Sequence, residues 1–156
     1  MTNDTQLLKC VILTLRKENV VVPNALVAEI ISVKEVVETE NTPKWFLGNM
    51  NWRGKSVPLL SFEAAVGDEV SKVNLNTQAV VLYAVGKDGD IVASPYLGLV
   101  MSGVPHISRF SREQIVTDDE EENNHPMVAQ KVRINGARVN ILDVDAMVSM
   151  VQALAA

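Results

Sequence analysis

The sequence predicts a mostly β protein, and three observations support this prediction. Apolar residues make up 47% of the 156 positions, but only seven residues are aromatic, so aliphatic side chains must supply most of the core. Valine and isoleucine are abundant among them and favour strands. Turn dipeptides separate the apolar runs, and one pattern of turn, strand and helix start occurs twice. A chain of this length forms one compact domain with its own core.

The first half of the chain begins with two predicted strands, at residues 7–15 and 20–22, joined by a polar turn. Residues 25–37 stay apolar, with three charged interruptions, and predict a helical turn followed by a strand. Residues 41–43 place two cap-type residues, asparagine and threonine, before a proline, which suits the first position of a helix. They predict one short helical turn over residues 44–47.

A hairpin is predicted next, with strands at residues 49–52 and 55–60. Its reversal falls at Arg53 and Gly54, where glycine permits the positive φ of a tight turn. Pro58 cannot donate a ladder hydrogen bond, so its strand is expected at a sheet edge or beside a bulge.

The second half repeats the hairpin pattern. Residues 77–85 predict a strand, and a turn leads from it into a long apolar segment at 91–104. Residues 127–134 and 137–142 flank an Asn-Gly dipeptide that ends at Gly136. This dipeptide is typical of a type I′ turn and predicts a last hairpin.

A final helix is predicted after Asp143, which has the chemistry of an N-cap. Apolar residues recur there at helical spacing, at Val144, Met147, Val148, Val151 and Leu154. We interpret this stripe as a core face; the alternative is a helix that binds a partner.

An internal repeat links the halves. The segment VPLLSFEAAV at residues 57–66 superposes on VNILDVDAMV at residues 139–148. The same offset superposes Gly54 on Gly136. The pattern predicts one β-rich unit built twice, with Glu63 and Asp145 as acids in the first turns of two helices.

Composition excludes several partner classes. The net charge is −5 and the basic residues are scattered, which argues against nucleic acid. The acidic run at residues 118–122 predicts a solvated loop and lacks the pattern of an EF-hand. Cys10 lies in an apolar run and is interpreted as a buried residue. No signal peptide or membrane-spanning run is visible, so we expect a cytoplasmic protein without direct membrane insertion.

Catalytic and cofactor motifs are missing from the sequence. The GKS at residues 54–56 is preceded by Asn49 where a phosphate loop needs glycine, and Pro58 prevents the helix that must follow. His106 and His125 have no ligand or nucleophile at a useful spacing, and His106 is interpreted as a polar loop residue. We therefore expect no metal, no cofactor and no enzymatic activity.

The remaining feature is the stretch at residues 45–62, which holds both tryptophans and two of the three phenylalanines. Its rings can serve as core residues or as a docking surface, and composition leaves both open. Arg53 sits among them at a turn, and tryptophan and arginine are enriched at interface hot spots.

A family resemblance follows from these residues. The segment GNMNWRGKSVPLL at residues 48–60 resembles the G-x-x-N-L-R-G-x-x-x-P signature of the CheW-like coupling proteins of bacterial chemotaxis. The segments VAEIISV and NTPKWFLG before it, LGLVMSGV at residues 97–104 and the closing VNILDVDAMV are similar to other parts of that family. The resemblance runs from about residue 7 to residue 154.

The resemblance implies a fold and a function. The fold would consist of two small five-stranded β-barrel subdomains, intertwined as one domain over residues 1–156 and ending in a helix. The function would be that of a non-enzymatic adaptor between the cytoplasmic tip of a chemoreceptor and the regulatory domain of a CheA-type histidine kinase, recruited to membrane-associated receptor arrays. The receptor-binding residues that it implies are Val27, Gly48, Arg53, Gly98, Val104 and Ile107.

The chain also departs from the family pattern. Ser61 and Ser102 replace aspartate, and Trp52 replaces the leucine before Arg-Gly. These departures leave two alternatives: a principal coupling protein, or a divergent accessory or regulatory domain that binds only one partner. A type IV pilus or twitching-motility pathway would suit the second.

Overall fold

The structure is a computed structural model that describes residues 7–15, 19–65, 76–84, 96–101, 103–118 and 126–154. Its strands are β1 Leu8–Thr14, β2 Asn19–Pro23, β3 Val27–Ser32, β4 Val36–Val37, β5 Phe46–Trp52, β6 Lys55–Leu60, β7 Gln78–Tyr83, β8 Tyr96–Met101, β9 His106–Phe110, β10 Ile115–Thr117, β11 Val128–Ile134 and β12 Ala137–Leu142. Its α-helices are α1 Phe62–Ala65 and α2 Val144–Leu154, and short 3-10 helices cover Asn24–Leu26 and Arg112–Gln114.

The strands form two sheets of six strands each. Sheet A has the order β10-β11-β12-β2-β1-β9, and sheet B has the order β3-β7-β8-β6-β5-β4. The chain starts in sheet A, builds all of sheet B, and returns to finish sheet A. The prediction of a mostly β protein with two β subdomains and a C-terminal helix is confirmed. Each sheet has one strand more than the five predicted. The additional strands are β4 and β10, which are only two and three residues long.

The two sheets have the same topology. Read from β4, sheet B runs β4-β5-β6-β8-β7-β3, and sheet A runs β10-β11-β12-β2-β1-β9. Each position corresponds, including the parallel pairs β6–β8 and β12–β2. The N-terminal hairpin β1–β2 therefore occupies in sheet A the place that β7–β8 occupies in sheet B. The predicted repeat is real, but its second copy is completed by the first strands of the chain.

Hydrogen bonds recur at the offset of the sequence repeat. The N–H of Ser61 donates to the carbonyl of Trp45, and the N–H of Asp143 donates to that of Met127, both at 2.8 Å. The Ser61 hydroxyl accepts from the N–H three residues later at 3.1 Å, and the Asp143 carboxylate does the same at 3.0 Å. Both residues are N-caps, as predicted for Asp143. Serine thus performs the capping that aspartate performs in the other copy.

Three apolar cores hold the sheets together. The shared core lies between sheets A and B and takes residues from both, with Leu13, Leu60, Phe62, Leu82, Leu99, Met127 and Met147 among its most buried members. A second core, the inner core of sheet B, includes Met50, Trp52, Val57 and Leu59. A third core, the inner core of sheet A, includes Cys10, Val21, Phe110 and Val139.

Strand alternation assigns residues to these cores. In β1, Val11 and Leu13 enter the shared core, whereas Cys10 and Ile12 pack against the inner core of sheet A. Because successive side chains point to opposite faces of a strand, a strand buried on both faces must be apolar throughout. This explains the continuous aliphatic runs in the sequence.

The C-terminal helix supports the core interpretation of its stripe. Val144, Met147 and Val148 are buried in the shared core, and Val151 packs against it. Leu154 ends the helix with 37% of its surface exposed. The acids Glu63 and Asp145 lie in the first turns of α1 and α2, as predicted.

One local prediction is wrong, and another holds in only one of its two alternatives. Residues 44–47 do not form a helical turn: one turn closes from Pro43 to Phe46 (3.1 Å), and β5 already starts at Phe46. The reason is that Phe46 pairs with Leu60 in the sheet ladder. Of the two alternatives for Pro58, the edge position is wrong, because β6 lies between β5 and β8. The position beside a bulge is confirmed, because the β5–β6 register shifts between Phe46 and Gly48, next to the pair of Asn49 with Pro58. The parallel ladder with β8 starts only at Leu59, so no ladder bond is required of Pro58 there.

The region around residues 105–118 also differs from the predictions. It contains β9 and β10, and His106 is an exposed residue at the start of β9, not a loop residue. The prediction of a solvated loop is wrong for Asp118, which is buried because Arg133 and Arg138 approach its Oδ2 at 3.4 and 3.6 Å. His125, Ser102 and residues 119–122 lie outside the described residues.

Replacing Met147 with alanine tests the shared core. Met147 is fully buried on α2, so Met147→Ala should lower the free energy of unfolding by about 2–5 kcal/mol through lost transfer energy and a cavity. Leu154→Ala, on the same helix, is the control and should cost less than about 1 kcal/mol. Urea unfolding followed by circular dichroism measures both, and equal losses would contradict the packing of α2.

The thiol of Cys10 gives a second test. Cys10 is 8% exposed, and burial raises the pKa of its thiol. The thiolate is the reactive form, so a chromogenic disulfide reagent at about pH 8 should react slowly with the folded protein and rapidly in urea. Similar rates in both conditions would contradict the burial of β1.

Candidate partner-binding surface

The turn between β5 and β6 presents Arg53 at the end of sheet B. Arg53 and Gly54 both have positive φ, at 50° and 76°, as a type I′ turn requires. The side-chain oxygen of Asn51 accepts a hydrogen bond from the N–H of Gly54 at 3.1 Å. The predicted hairpin and its turn are confirmed, and 68% of the Arg53 side chain is exposed.

Glu29 connects this turn to β3, the edge strand on the other side of sheet B. Its Oε2 accepts a hydrogen bond from the indole nitrogen of Trp52 at 2.7 Å and lies 3.2 Å from Nη2 of Arg53. The guanidinium also lies 4.9 Å from the centre of the Trp52 ring. Because β3 and β5 lie near opposite ends of sheet B, these contacts hold the curled sheet together there.

An open cleft of about 380 Å³ lies beside these contacts. It is lined by consecutive residues of β3 and the segment after it, and by the end of β5 with the turn, at residues 29–34 and 50–53. Trp52 forms one wall and packs edge-on against Tyr96, with ring centres 4.8 Å apart. Lys55, on the same hairpin as Trp52, lies 4.8 Å from the ring of Tyr96 on β8. Trp52 thus serves the inner core of sheet B, while Arg53 and Lys55 remain at the surface.

Gly48 and Gly98, two of the predicted binding residues, are buried in sheet B. A Cβ at Gly48 would overlap the carbonyl oxygen of Val37, and its φ of 135° is a conformation that favours glycine. A Cβ at Gly98 would meet the end of the flexible Met50 side chain. Both glycines allow neighbouring strands to pack closely. They therefore affect the shape of sheet B rather than contact a partner themselves.

Val27 and Ile107 lie at the margin of the shared core, and Val104 is an exposed residue shortly before β9. Val27 is half-buried and packs against that core. Ile107 pairs with buried Val11 across β1 and β9 but is 60% exposed, and Val104 is 71% exposed. Exposed aliphatic side chains beside a core are a candidate contact surface.

The structure brings some of the predicted residues together. Gly48 and Gly98 both pair with Leu59, so these three residues lie in one row across sheet B. Arg53 is joined to β3 through Glu29, two residues after Val27. Val104 and Ile107 belong to sheet A and its approach, so the six residues divide between the two sheets.

Glu29 is the residue of this surface that sequence reasoning missed. In the sequence it is only a charged interruption of an apolar run. A lone acid inside a strand rarely stays without a partner, and this was the available signal. Its partners, Trp52 and Arg53, lie on a different hairpin far along the chain, so sequence spacing could not identify them.

Two other kinds of site are absent from the part of the chain that the structure describes. There, no group of three or more His, Cys, Asp or Glu residues is placed to hold a metal ion. Within the same residues, no helix has both the length and the apolar character to cross a membrane.

Comparisons with known proteins agree with this geometry. Residues 9–152 match the family model described as the CheW-like domain. The crystal structure of the scaffolding protein TtCheW from Thermoanaerobacter tengcongensis is similar, with a TM-score of 0.69 and 16% sequence identity, over 88% of this chain and 90% of that one. A search of curated proteins finds no match. The fold of two β subdomains is therefore shared with a known scaffolding protein.

A pair of alanine substitutions tests the role of the glycines. Gly48→Ala should lower the free energy of unfolding by roughly 3 kcal/mol or more, because it adds backbone strain and overlap with Val37. Gly54→Ala should cost only about 1 kcal/mol, since it adds strain at a turn with open space around it. Chemical denaturation compares the two, and a Gly48→Ala protein of normal stability would show that the close approach of β4 is wrong.

Proposed function

The chain belongs to the CheW-like domain family of chemotaxis scaffold proteins, and on this premise we propose that it is a non-enzymatic adaptor. It would couple the cytoplasmic tip of a chemoreceptor to the regulatory domain of a CheA-type histidine kinase. The observation that carries the proposal is the position of Arg53, whose side chain is 68% exposed while its guanidinium contacts Glu29 and the Trp52 ring. A preorganised arginine loses little entropy when a partner binds.

The receptor would contact residues from both sheets. Val27, Val104 and Ile107 supply apolar contacts at the margin of the shared core, and Arg53 supplies forked hydrogen bonds. Such a surface suits amphipathic helices, which lay an apolar stripe into a groove. Gly48 and Gly98 would act indirectly, by setting the curvature of sheet B under this surface.

Two departures from the family pattern are compatible with this role. Ser61 caps α1 as Asp143 caps α2, so the replacement of aspartate preserves the local structure. Trp52 packs in the inner core of sheet B and donates to Glu29, so it strengthens the support of Arg53. Both observations favour a protein that retains the receptor contact.

The whole chain would act as one unit. Sheet A is completed by strands from both ends of the described chain, and the shared core takes residues from both sheets. Kinase contacts would use exposed turns and strand edges of the two sheets. Binding to receptor tips would recruit the protein to receptor arrays on the cytoplasmic side of the membrane.

Charge reversal at Arg53 tests the proposal. Arg53→Glu should weaken binding to a soluble receptor cytoplasmic fragment by about 2–4 kcal/mol, as expected for a hot spot. The fold should lose at most about 1 kcal/mol, because the ion pair with Glu29 is exposed. Calorimetric titration measures the affinity, and urea unfolding measures the stability.

Lys44→Glu provides the matched control for this experiment. Lys44 is exposed in the segment before β5, and reversing it changes the net charge by the same amount. Its affinity for the receptor fragment should stay within about two-fold of the wild type, because an exposed charge outside the contact contributes little. If Arg53→Glu and Lys44→Glu bind equally well, Arg53 is not a receptor contact.

A further inference from the structure

A pair of like charges lies on the outer strands of sheet A. Lys9 on β1 and Arg109 on β9 are direct partners in the antiparallel register, and both are exposed. Side chains in such a pair have Cβ atoms roughly 5 Å apart. Two cations are therefore held next to each other on a protein whose net charge is −5.

Strand alternation defines the face that carries these cations. Phe110 and Cys10 enter the inner core of sheet A, so Arg109 and Lys9 point to the opposite face. Ile107 is two residues before Arg109 and lies on that same face, about 7 Å away along the strand. Lys9, Ile107 and Arg109, which we name the cationic patch, thus combine two cations with one exposed aliphatic side chain.

The like charges have no compensation inside the described part of the chain. Within that part, the side chains of Lys9 and Arg109 form no ion pair and no hydrogen bond, in contrast to those of Arg53, Arg133 and Arg138. Like charges directly opposite each other destabilise a sheet. β9 is also the last strand of sheet A, and no strand among the described residues pairs with its outer side. The arrangement weakens the fold slightly and makes the surface complementary to an acidic group.

We propose that the cationic patch extends the receptor-binding surface and selects a receptor segment that carries carboxylates beside an apolar stripe. The inference rests on the proposed function and adds the chemistry of the partner. Ile107 and nearby Val104 contact the apolar stripe, and the two cations contact the carboxylates. Charge pairs of this kind raise the association rate and discriminate against partners with basic residues at the same place.

Single neutralisations test the patch against a matched control. The variants are Lys9→Gln, Arg109→Gln and, as the control, Lys44→Gln, which removes one exposed positive charge elsewhere. The probe is a soluble receptor cytoplasmic fragment, titrated at about 50 mM and about 500 mM NaCl so that screening differs strongly between the two conditions. Each patch variant should bind about three- to five-fold more weakly at low salt, and the double variant roughly ten-fold or more. Lys44→Gln should bind like the wild type.

Salt and partner charge provide two further readouts. High salt should reduce the difference between the wild type and the double variant to less than about two-fold, because it screens exposed charges. A receptor fragment with its tip carboxylates changed to amides should bind the wild type and the double variant equally.

Stability supplies an independent readout. If the cations repel each other in the folded protein, Lys9→Gln should raise the thermal midpoint by roughly 1–3 °C while it weakens receptor binding. A variant that binds worse only because it misfolds would show a lower midpoint. A lower midpoint for Lys9→Gln would therefore overturn the premise that the pair lacks compensation.

The outcomes separate this inference from the proposed function. If the wild type binds the fragment but the patch variants bind like Lys44→Gln, the inference is overturned and the adaptor proposal survives. If the wild type does not bind the fragment, the receptor-binding role itself fails. If the patch variants lose binding only to vesicles of phosphatidylcholine and phosphatidylserine, and keep their receptor affinity, a lipid surface is the partner and the inference is overturned.

Discussion

The shared apolar core is the constraint on which the rest of this structure depends. Strands from both sheets and the helix α2 bury side chains in it, including Leu13, Leu82 and Met147. Sheet A cannot form without β1 and β2, which come before sheet B in the chain. Neither sheet can therefore be complete before distant parts of the sequence meet, and the two sheets are fixed relative to each other by one buried interface.

This core also determines where the surfaces proposed to bind partners lie. Exposed Ile107 lies at the margin of the shared core, because it pairs with buried Val11, and exposed Val104 precedes it in the chain. Arg53 lies instead at the end of sheet B, where Glu29 joins β3 to the turn. The shared core thus joins the two proposed contact surfaces in one folded unit, as an adaptor requires. Binding energy is then not spent on ordering the protein.

Local signals in the sequence predicted a good part of this fold. The dipeptides ending at Gly54 and Gly136 place both turns correctly, and Asp143 places the start of α2, because these features depend only on neighbouring residues. The internal repeat is visible both in the sequence and in the hydrogen bonds of the two copies. Fold and family could thus be predicted from the sequence.

The remaining features depend on contacts between distant residues. The place of β1–β2 in sheet A, the central position of Pro58 and the burial of Asp118 follow from pairings that no short segment reveals. The cationic patch is hidden in the same way, because Lys9 and Arg109 lie in opposite halves of the sequence and become neighbours only through the register of β1 and β9.

The most direct test of the account is whether one molecule binds both partners at once. The kinase regulatory domain would be titrated calorimetrically into this protein alone and into the protein saturated with receptor fragment, with the size of the complex checked by sedimentation. We expect micromolar affinity in both titrations and a ternary complex, because the proposed contact surfaces lie apart on one folded unit. Loss of kinase binding in the presence of the receptor fragment would contradict the adaptor role.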